Sequence, residues 1–424
     1  MLGFIPGVVA IDADEAANRV MIGIDVSKQP QAQSEVARRL QELGVPEDAV
    51  RFVDMEPFTD ATRLRAMRAT GALANINLED VPQPVVAGYR IIISPAGCTL
   101  GPVVERNGQG AALTASHCTP FKWELDGSVM RTSDGAVIGD EIADPAPAWC
   151  GDTACRYSDA ALFDLRENVS YRRGAIARTI DVSYTWGTPG SLDVDQNDNF
   201  LAVLYVLIPS QVSQGLMLFK TGASTGTTGG NVSNTCTDIQ ASDFRIHRCS
   251  VVAGYYTGPG DSGSPVYQPN SQQAYLVGIF WGNNGESSAA SYYSNAESEL
   301  GGPFNALTNV AVSPSTISGS IYSATYPKLN WIPVAVANTT TPTTYHLRRR
   351  TWDAATQWYV DFDTDVLVTQ SQFSHIDYAR AVNLYYGSTQ PPSSVNYVHY
   401  YILAENHGVV SVSNSVFFRR RNLF

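Results

Sequence analysis

Apolar and polar positions alternate in three different ways along the chain. Arg19 to Val26 (RVMIGIDV) is rich in branched residues and predicts a strand. After a polar break, SEVARRLQELG from Ser34 to Gly44 puts Val36, Leu40 and Leu43 at i, i+4 and i+7, one face of a helix. Gly44 supplies a C-terminal stop, Pro46 prevents resumption, and Arg51 to Val53 reads as a returning strand. Together these predict a small α/β module.

From Val85 to about Ala306 the pattern changes. Short apolar runs such as YRIIIS, DAALFDL, FLAVLYVLI and AYLVGIFWG recur between clusters of Gly, Asn, Asp and Pro, and no long helical period interrupts them. Many short strands with turn signals between them predict a sandwich or barrel. A third pattern, with Trp, Tyr and Thr in alternation, begins near Val312 after SPSTISG and runs to Phe424. The expected fold is therefore mainly β, divided at 1–85, 86–307 and 311–424. TRLRAMR (Thr62 to Arg68) and the stretch on to Pro84 read as a linker, whose arginines are either a solvated helix face or a processing segment open to proteases.

Composition narrows the function classes. Lys and Arg number 28 against 40 Asp and Glu, a net charge of 28 − 40 = −12 over 424 residues. A pI near 4.9 argues against a general nucleic-acid binder, which shows a basic face or stripe. Charged residues are only 16% while 44% are hydrophobic, so low charge does not mean disorder, and 21 Tyr favour strands. No apolar stretch is long enough to span a bilayer. Met1 to Ala10 lacks a basic n-region and a long apolar h-region, so it does not read as a signal peptide.

The six cysteines lie closest in sequence as Cys98 with Cys118, Cys150 with Cys155, and Cys236 with Cys249. Six cysteines allow about 15 pairings, and free buried thiols are the alternative. Without a Cys-x-x-Cys pair or HExxH a zinc site is disfavoured, and disulfides in an oxidising compartment are the expectation.

The chemistry concentrates at Gly258 to Tyr267, GPGDSGSPVY. Gly260 and Gly263 flank an Asp-Ser pair, which lets the backbone turn tightly and aim amide groups and the Ser262 hydroxyl at one spot. An ordinary Gly-Ser hairpin is the bland alternative; GDSG followed by a Pro-aromatic strand is far rarer. A serine nucleophile needs a base, normally a histidine oriented by a carboxylate. Four of the six histidines (His346, His375, His399, His407) lie in the C-terminal segment. Of the other two, His117 sits in LTASHC, whereas His247 in RIHRC reads as a surface histidine in a hairpin. Asp159 in RYSDAALFDL is the expected orienting carboxylate, with Asp152 and Asp164 as competitors.

The order His117, Asp159, Ser262, within TASHC, SDAAL and GDSGSP, resembles the chymotrypsin-like serine proteases, in particular the bacterial branch with the streptogrisins and α-lytic protease. The resemblance covers roughly Val85 to Ala306 and implies a double β-barrel with the site at the barrel interface. It implies that Ser262 attacks the scissile carbonyl, His117 moves the proton, Asp159 holds the imidazole tautomer, and the backbone N–H groups of Gly260 and Ser262 bind the oxyanion. AGCTLGPVV before LTASHC implies a cystine from Cys98 to Cys118 across the histidine loop. Lys220 to Val232 (KTGASTGTTGGNV), otherwise readable as a flexible low-complexity loop, is similar to the stretch preceding a hairpin that Cys236 and Cys249 would staple. Phe280, Trp281 and Gly282 resemble the strand that pairs with the substrate backbone. No cofactor or metal is implied.

Two positions depart from the family pattern. Ser264 replaces the second glycine of GDSGGP. Phe280 stands where a serine usually bonds the catalytic aspartate, so a less polar setting for Asp159 is expected. Tyr255, Tyr256 and Thr257 precede GDSG where the family sets its pocket floor; with no acid at Tyr256, cleavage after Lys or Arg is not indicated and an uncharged preference is expected.

The N-terminal module looks like the C-terminal part of a pro-region, with a junction near Pro84 to Gly88, a permanently attached accessory domain being the alternative. The C-terminal segment resembles a fibronectin type III or related immunoglobulin-like sandwich, with Trp331 in LNWIPV on an early strand and YYILAEN as the penultimate one, although Val398 stands where the corner tyrosine is expected and Tyr397 is one residue off. Arg348 to Arg350 and Arg419 to Arg421 read as solvated strand faces. The resulting expectation is a secreted endopeptidase, made as a zymogen, acting on protein or peptide substrates, with attachment to a polymer or cell surface through the C-terminal domain. An inactive protease-fold adhesion or recognition protein is the alternative.

Overall fold

Where the short apolar runs alternate, antiparallel strands form. The computed structural model describes the chain except residues 1–4, 15–16, 61–75, 83, 94–96, 196–198, 271–272, 308–316, 324–325, 332–343, 356–357, 369–373, 377, 379–381, 388–389, 393, 407–408, 413–414 and 421–424. The arginines of TRLRAMR thus lie outside the described residues. The chain divides into two compact units, Met1–Val203 with Leu207–Ala306, and Leu204–Val206 with Leu307–Phe424.

In the first unit the mainly β architecture is built from two sheets. One has seven strands in the order Gly97–Thr99, Arg90–Ile92, Val129–Thr132, Val137–Ala143, Ala161–Leu165, Gln109–Thr114, Val103–Arg106. Its core packs Ile91, Leu100, Val103, Met130 and Phe163, all nearly or fully buried. The second closes on itself. Gly226–Gln240, Met217–Gly222, Pro265–Asn270, Gln273–Asn283, Ser288–Tyr292 and Ile246–Ala253 are each bonded to the next, and the last returns to the first. Its core holds Leu218, Val251, Tyr255, Val277 and Phe280. Closure pairs these strands with one another, while ends such as Gly282–Asn283 and Asp238–Ile239 extend beyond their barrel neighbours and take further strands.

The N-terminal module continues the second sheet rather than standing apart. Val8–Asp14 pairs with the far end of Gly226–Gln240 (Ala10 opposite Ile239), then with Arg19–Ile24, which pairs in parallel with Val50–Asp54. The helix Ala32–Glu42 buries Ala32, Val36 and Leu40 against Val8, Ile22 and Ile24. Leu43, expected on that face, is 64% exposed. The cause is the cap. Gly44 takes φ +71°, its N–H reaches the Gln41 carbonyl, and Val45 N–H returns to the Leu40 carbonyl, which puts Val45 rather than Leu43 against the core. After Val50–Asp54 the chain crosses to the barrel, where Thr59–Asp60 forms a short strand beside Gln273–Asn283.

Val85–Ala87 is buried and pairs with Tyr171–Ala177, so a protease reaches the junction expected at Pro84 to Gly88 only if this strand opens. The Gly-Thr-rich Lys220 to Val232 is itself a hairpin of two barrel strands rather than a loop. A short helix, Tyr293–Glu299, follows the last barrel strand; the sequence patterning did not announce it.

The second unit is a sandwich of a three-stranded sheet (Ile317–Tyr322, Tyr326–Trp331, Ser374–Ile376) on a six-stranded one. Leu329 of the first packs with Leu347, Val398, Tyr400, Ile402 and Phe418 of the second. Val398 is thus a core residue, while the Tyr397 hydroxyl accepts from Gln390 Nε2. Arg348, Arg349 and Arg350, expected in solvent, are buried, because Thr344–Asp353 is an inner strand flanked on both sides. Arg350 lies 5.3 Å from the centre of the Tyr401 ring. Arg419 is exposed, as expected, and Arg421 lies outside the described residues.

Candidate active site

Ser262 sits on a loop that glycine alone permits. Gly260 and Gly263 take φ +99° and +90°, and a Cβ on Gly263 would meet Thr114 Oγ1 at 2.2 Å and the Thr99 carbonyl at 2.3 Å. Asp261 locks the loop from inside. Its Oδ1 accepts from Ser224 N and Thr225 N, and its Oδ2 from Gly258 N and from Lys220 Nζ at 3.0 Å. Both members of the Lys220–Asp261 pair are fully buried. Burial pulls the Lys220 ammonium below its usual range, against the opposing charge of Asp261. Among the described residues nothing accepts a hydrogen bond from the backbone N–H groups of Gly260 and Ser262. Two unpaired donors beside a serine hydroxyl are what an oxyanion requires.

His117 lies in a single turn, Ser116–Cys118, tied to Cys98 by a disulfide. Cys150–Cys155 and Cys236–Cys249 are the other two cystines, and no cysteine is free. Ser116 fixes the turn by donating its hydroxyl to Asp144 at 2.6 Å and accepting from Trp123 N. Behind it, burial pushes the Asp144 carboxyl up to about 7, although Arg156 and Ser116 oppose this.

The structure brings the three expected residues together. Ser262 Oγ lies 2.7 Å from His117 Nε2, and His117 Nδ1 bonds Asp159 Oδ2. Asp159 is wholly buried, whereas Asp152 is exposed and Asp164 is half-buried on the far part of its strand. Glu299 positions the segment before Asp159 by accepting from the backbone N–H groups of Tyr157 and Ser158.

The setting of Asp159 is more polar than expected. Phe280 does turn into the barrel core, but Trp123 Nε1 donates to Asp159 Oδ1 at 3.1 Å and the Asp159 N–H reaches Ser291 Oγ at 2.9 Å. Trp123 adopts the left-handed φ of +65°, a conformation that costs a non-glycine residue of order 1 kcal/mol and is held here by its N–H bond to Ser116 Oγ. Burial alone would raise the Asp159 carboxyl; the charges of His117 and Lys122 and the hydrogen bond from His117 overrule it and hold it well below the usual carboxylate range. For His117, burial lowers the imidazole but Asp60 and Asp159 raise it further, so its net shift is upward.

His247 is not a surface residue. It is fully buried and stacked on Trp281 at 3.9 Å, with its Nε2 3.3 Å from Lys122 Nζ. Burial, then the Lys122 charge, hold it well below its ordinary value, so it is a neutral acceptor there. RIHRC hides this because the flanking Arg245 and Arg248 are half-exposed while Ile246 and His247 between them are buried.

Lys122 was not singled out by the sequence. Its Nζ lies 3.1 Å from both carboxylate oxygens of Asp60 and 3.2 Å from Asp243 Oδ2, and its side chain is 7% exposed. Asp60 Oδ1 is also 3.8 Å from His117 Nδ1. Asp60, His117 and Asp159 each present a ligand atom within 4.8 Å of the others, and the positive charge set among them is the Lys122 ammonium.

The expected substrate strand is covered. Asp60 lies opposite Gly282 and Thr59 opposite Asn283; a Cβ on Gly282 would meet the Thr59 carbonyl at 2.6 Å. Phe58 packs on Trp281 with ring centres 5.9 Å apart, and Trp281 is fully buried. The Phe280 backbone N–H donates to the Ser264 carbonyl, and its carbonyl accepts from Gly263 N. Around the expected pocket, Tyr256 meets Trp186 edge-on, Tyr255 is buried, and Thr257 bonds Ser288.

No protein-family model and no curated protein sequence matches the chain. Solved structures do. A glutamic acid specific serine protease is 19% identical, with a TM-score of 0.38, covering 52% of this chain and 100% of its own. Thermobifida fusca protease A is 14% identical, with a TM-score of 0.37, covering 53% and 98%. A chymotrypsin of Cellulomonas bogoriensis is 15% identical, with a TM-score of 0.37, covering 53% and 99%. These neighbours are bacterial chymotrypsin-like serine proteases, and they correspond to about half of this chain.

Proposed function

We propose that the protein is a secreted serine endopeptidase held in a self-blocked, zymogen-like state by its N-terminal segment. The observation that carries the reading is the 2.7 Å approach of Ser262 Oγ to His117 Nε2, with Asp159 on the other imidazole nitrogen. In the reaction, Ser262 Oγ attacks the carbonyl carbon of the substrate as its proton passes to His117 Nε2. The carbonyl oxygen, now an oxyanion, takes the N–H groups of Gly260 and Ser262, worth about 3–4 kcal/mol each in comparable sites. His117 then protonates the leaving amine, and water attacks the acyl-enzyme by the same route in reverse.

The cover over Gly282 and Trp281 supports the zymogen part. A strand that pairs with the substrate-binding edge and a phenylalanine that buries its tryptophan must leave before an extended peptide can bind. Three cystines suit an oxidising compartment. The C-terminal sandwich, read as fibronectin type III-like, serves attachment to a polymer or surface. A fluorophosphonate probe tests the reading. Labelling of the full chain but not of Ser262→Ala supports it, and a full chain that stays unlabelled even with Phe58 and Asp60 replaced by alanine overturns it in favour of an inactive recognition protein.

A further inference from the structure

The cation beside His117 is built into the wall of the cleft, yet one of its partners belongs to the segment that covers the cleft. Lys122 Nζ holds both oxygens of Asp60 at 3.1 Å. Its other partners, Asp243 Oδ2 at 3.2 Å and His247 Nε2 at 3.3 Å, come from the barrel itself. Asp243 is already shared, since Arg245 Nη1 lies 2.9 Å from the same oxygen. His247 brings no charge. When Asp60 departs, Asp243, within hydrogen-bond reach of Lys122, is shared with Arg245, and the charge of Asp159 stays near the lysine but its oxygens are taken by His117 and Trp123, so a lysine with a side chain 7% exposed in the covered chain loses the anion that used two of its contacts. Leaving a buried ammonium short of a partner is costly, so the vacated place favours another carboxylate.

The direction of the strand says where that carboxylate lies on a substrate. Thr59 is opposite Asn283 and Asp60 opposite Gly282, so the covering strand runs antiparallel along the edge toward Phe280. The Phe280 backbone bonds Gly263 and Ser264, the residues next to Ser262. A peptide bound in the same register therefore approaches Ser262 with its C-terminal side leading, and the Asp60 place lies upstream of the bond to be cut. In unbroken register the residue opposite Phe280 comes two positions after it.

We propose that Lys122 reads an acidic side chain on the N-terminal side of the scissile bond, and that the substrates are peptides carrying Asp or Glu at the place Asp60 occupies here. Asp60 is then a stand-in for the substrate's own acid, and the segment blocks the cleft because it mimics what the cleft recognises. The net negative charge of the chain does not oppose this, since the recognition is local and desolvated. This specificity rests on the proposed protease reading.

The experiment is a set of quenched fluorescent peptides with Asp, Glu, Asn, Ala or Lys at each of the three positions before the cleaved bond, hydrolysed by the full chain and by its Asp60→Ala variant. The expected result is a kcat/KM at least tenfold higher for Asp or Glu than for Asn at one of those positions, falling to less than twofold in Lys122→Met and persisting in Lys122→Arg. Lys122→Glu should move the preference to the Lys peptide. Because the peptide series is read in the Asp60→Ala chain with Lys122 intact, a poorly folded Lys122 variant does not remove the test. Hydrolysis with no acidic preference at any of the three positions overturns this inference and leaves the protease reading standing. Absence of both hydrolysis and Ser262 labelling overturns both.

Discussion

Trp123 Nε1 donates a hydrogen bond of 3.1 Å to Asp159 Oδ1, the carboxylate oxygen that His117 does not use. A less polar setting for Asp159 was expected from Phe280, which turns into the barrel core, but the Trp123 indole supplies the donor that the phenylalanine cannot. A buried carboxylate with one oxygen unsatisfied would be pulled toward protonation and would hold the imidazole less firmly. Removing the donor by Trp123→Phe keeps most of the ring volume. A hydrogen bond to a charged group is worth about 1.5–3 kcal/mol, so kcat/KM should fall roughly 10- to 150-fold, with the loss in kcat rather than KM. Steady-state kinetics on a peptide substrate, with circular dichroism to confirm folding, checks this; an unchanged kcat would mean that Ser291 and His117 suffice.

Asp60 bears on the pH dependence. His117 must be neutral to accept the Ser262 proton, and its upward shift owes more to Asp60 than to any other charge. Activity therefore appears as pH rises through the His117 value. In Asp60→Asn one of the charges that raise it is gone, so the acid limb of the kcat/KM profile should move to lower pH. The linked stability has the opposite course: the protonated His117 stabilises the fold below its unfolded value near 6.5, and that contribution, lost as pH rises, should shrink in the variant. A pH-rate profile of the two full-length chains reads the shift; a limb moving upward would rule out Asp60 as its cause.

Lys220 and Asp261 form a buried ion pair immediately before Ser262. The pair is internal to the hairpin and loop. Lys220→Met strands the Asp261 charge, and breaking such a pair costs about 3–5 kcal/mol. The variant should lose much of its thermal stability and its fluorophosphonate labelling together, whereas Lys220→Met with Asp261→Asn should recover part of the stability. If the single and double variants melt alike, the charge of Asp261 is not what the lysine serves.

The convergence of His117, Asp159 and Ser262 was legible because it rests on short local motifs: GDSG demands its glycines at φ +99° and +90°, and LTASHC ends a strand in a turn that a cystine closes. The Schellman cap was half legible. Gly44 announced the end of the helix, but which apolar residue would pack was decided by the reversal itself, which exposes Leu43 and packs the half-buried Val45 against the core. Lys122, Trp123 and His247 were not legible as site residues, since their meaning depends on contacts across 36 to 125 positions with Asp159 and with one another. The burial of Arg348 to Arg350 is likewise a property of the strand's inner place in its sheet, which local charge patterning does not carry.

Phe58 offers the most direct way to loosen the cover. It is 1% exposed, its ring lies 5.9 Å from that of Trp281, and the same small cluster holds Ile239 and Val252 of the barrel. Replacing a buried phenylalanine by alanine costs about 3–5 kcal/mol, and here the cost falls on the contact between the N-terminal segment and the barrel. The barrel keeps its own core around Leu218, Val251 and Phe280. The open form, in which Trp281 and the edge at Gly282 are free, should therefore gain population, and Ser262 should react at least tenfold faster with a fluorophosphonate in Phe58→Ala than in the unmodified chain. Leu43→Ala, at an exposed position of the same N-terminal module, should leave the rate unchanged and serves as the control. Equal labelling rates in Phe58→Ala and the unmodified chain would show that the segment does not limit access to Ser262, and the zymogen reading would fall while the triad stood.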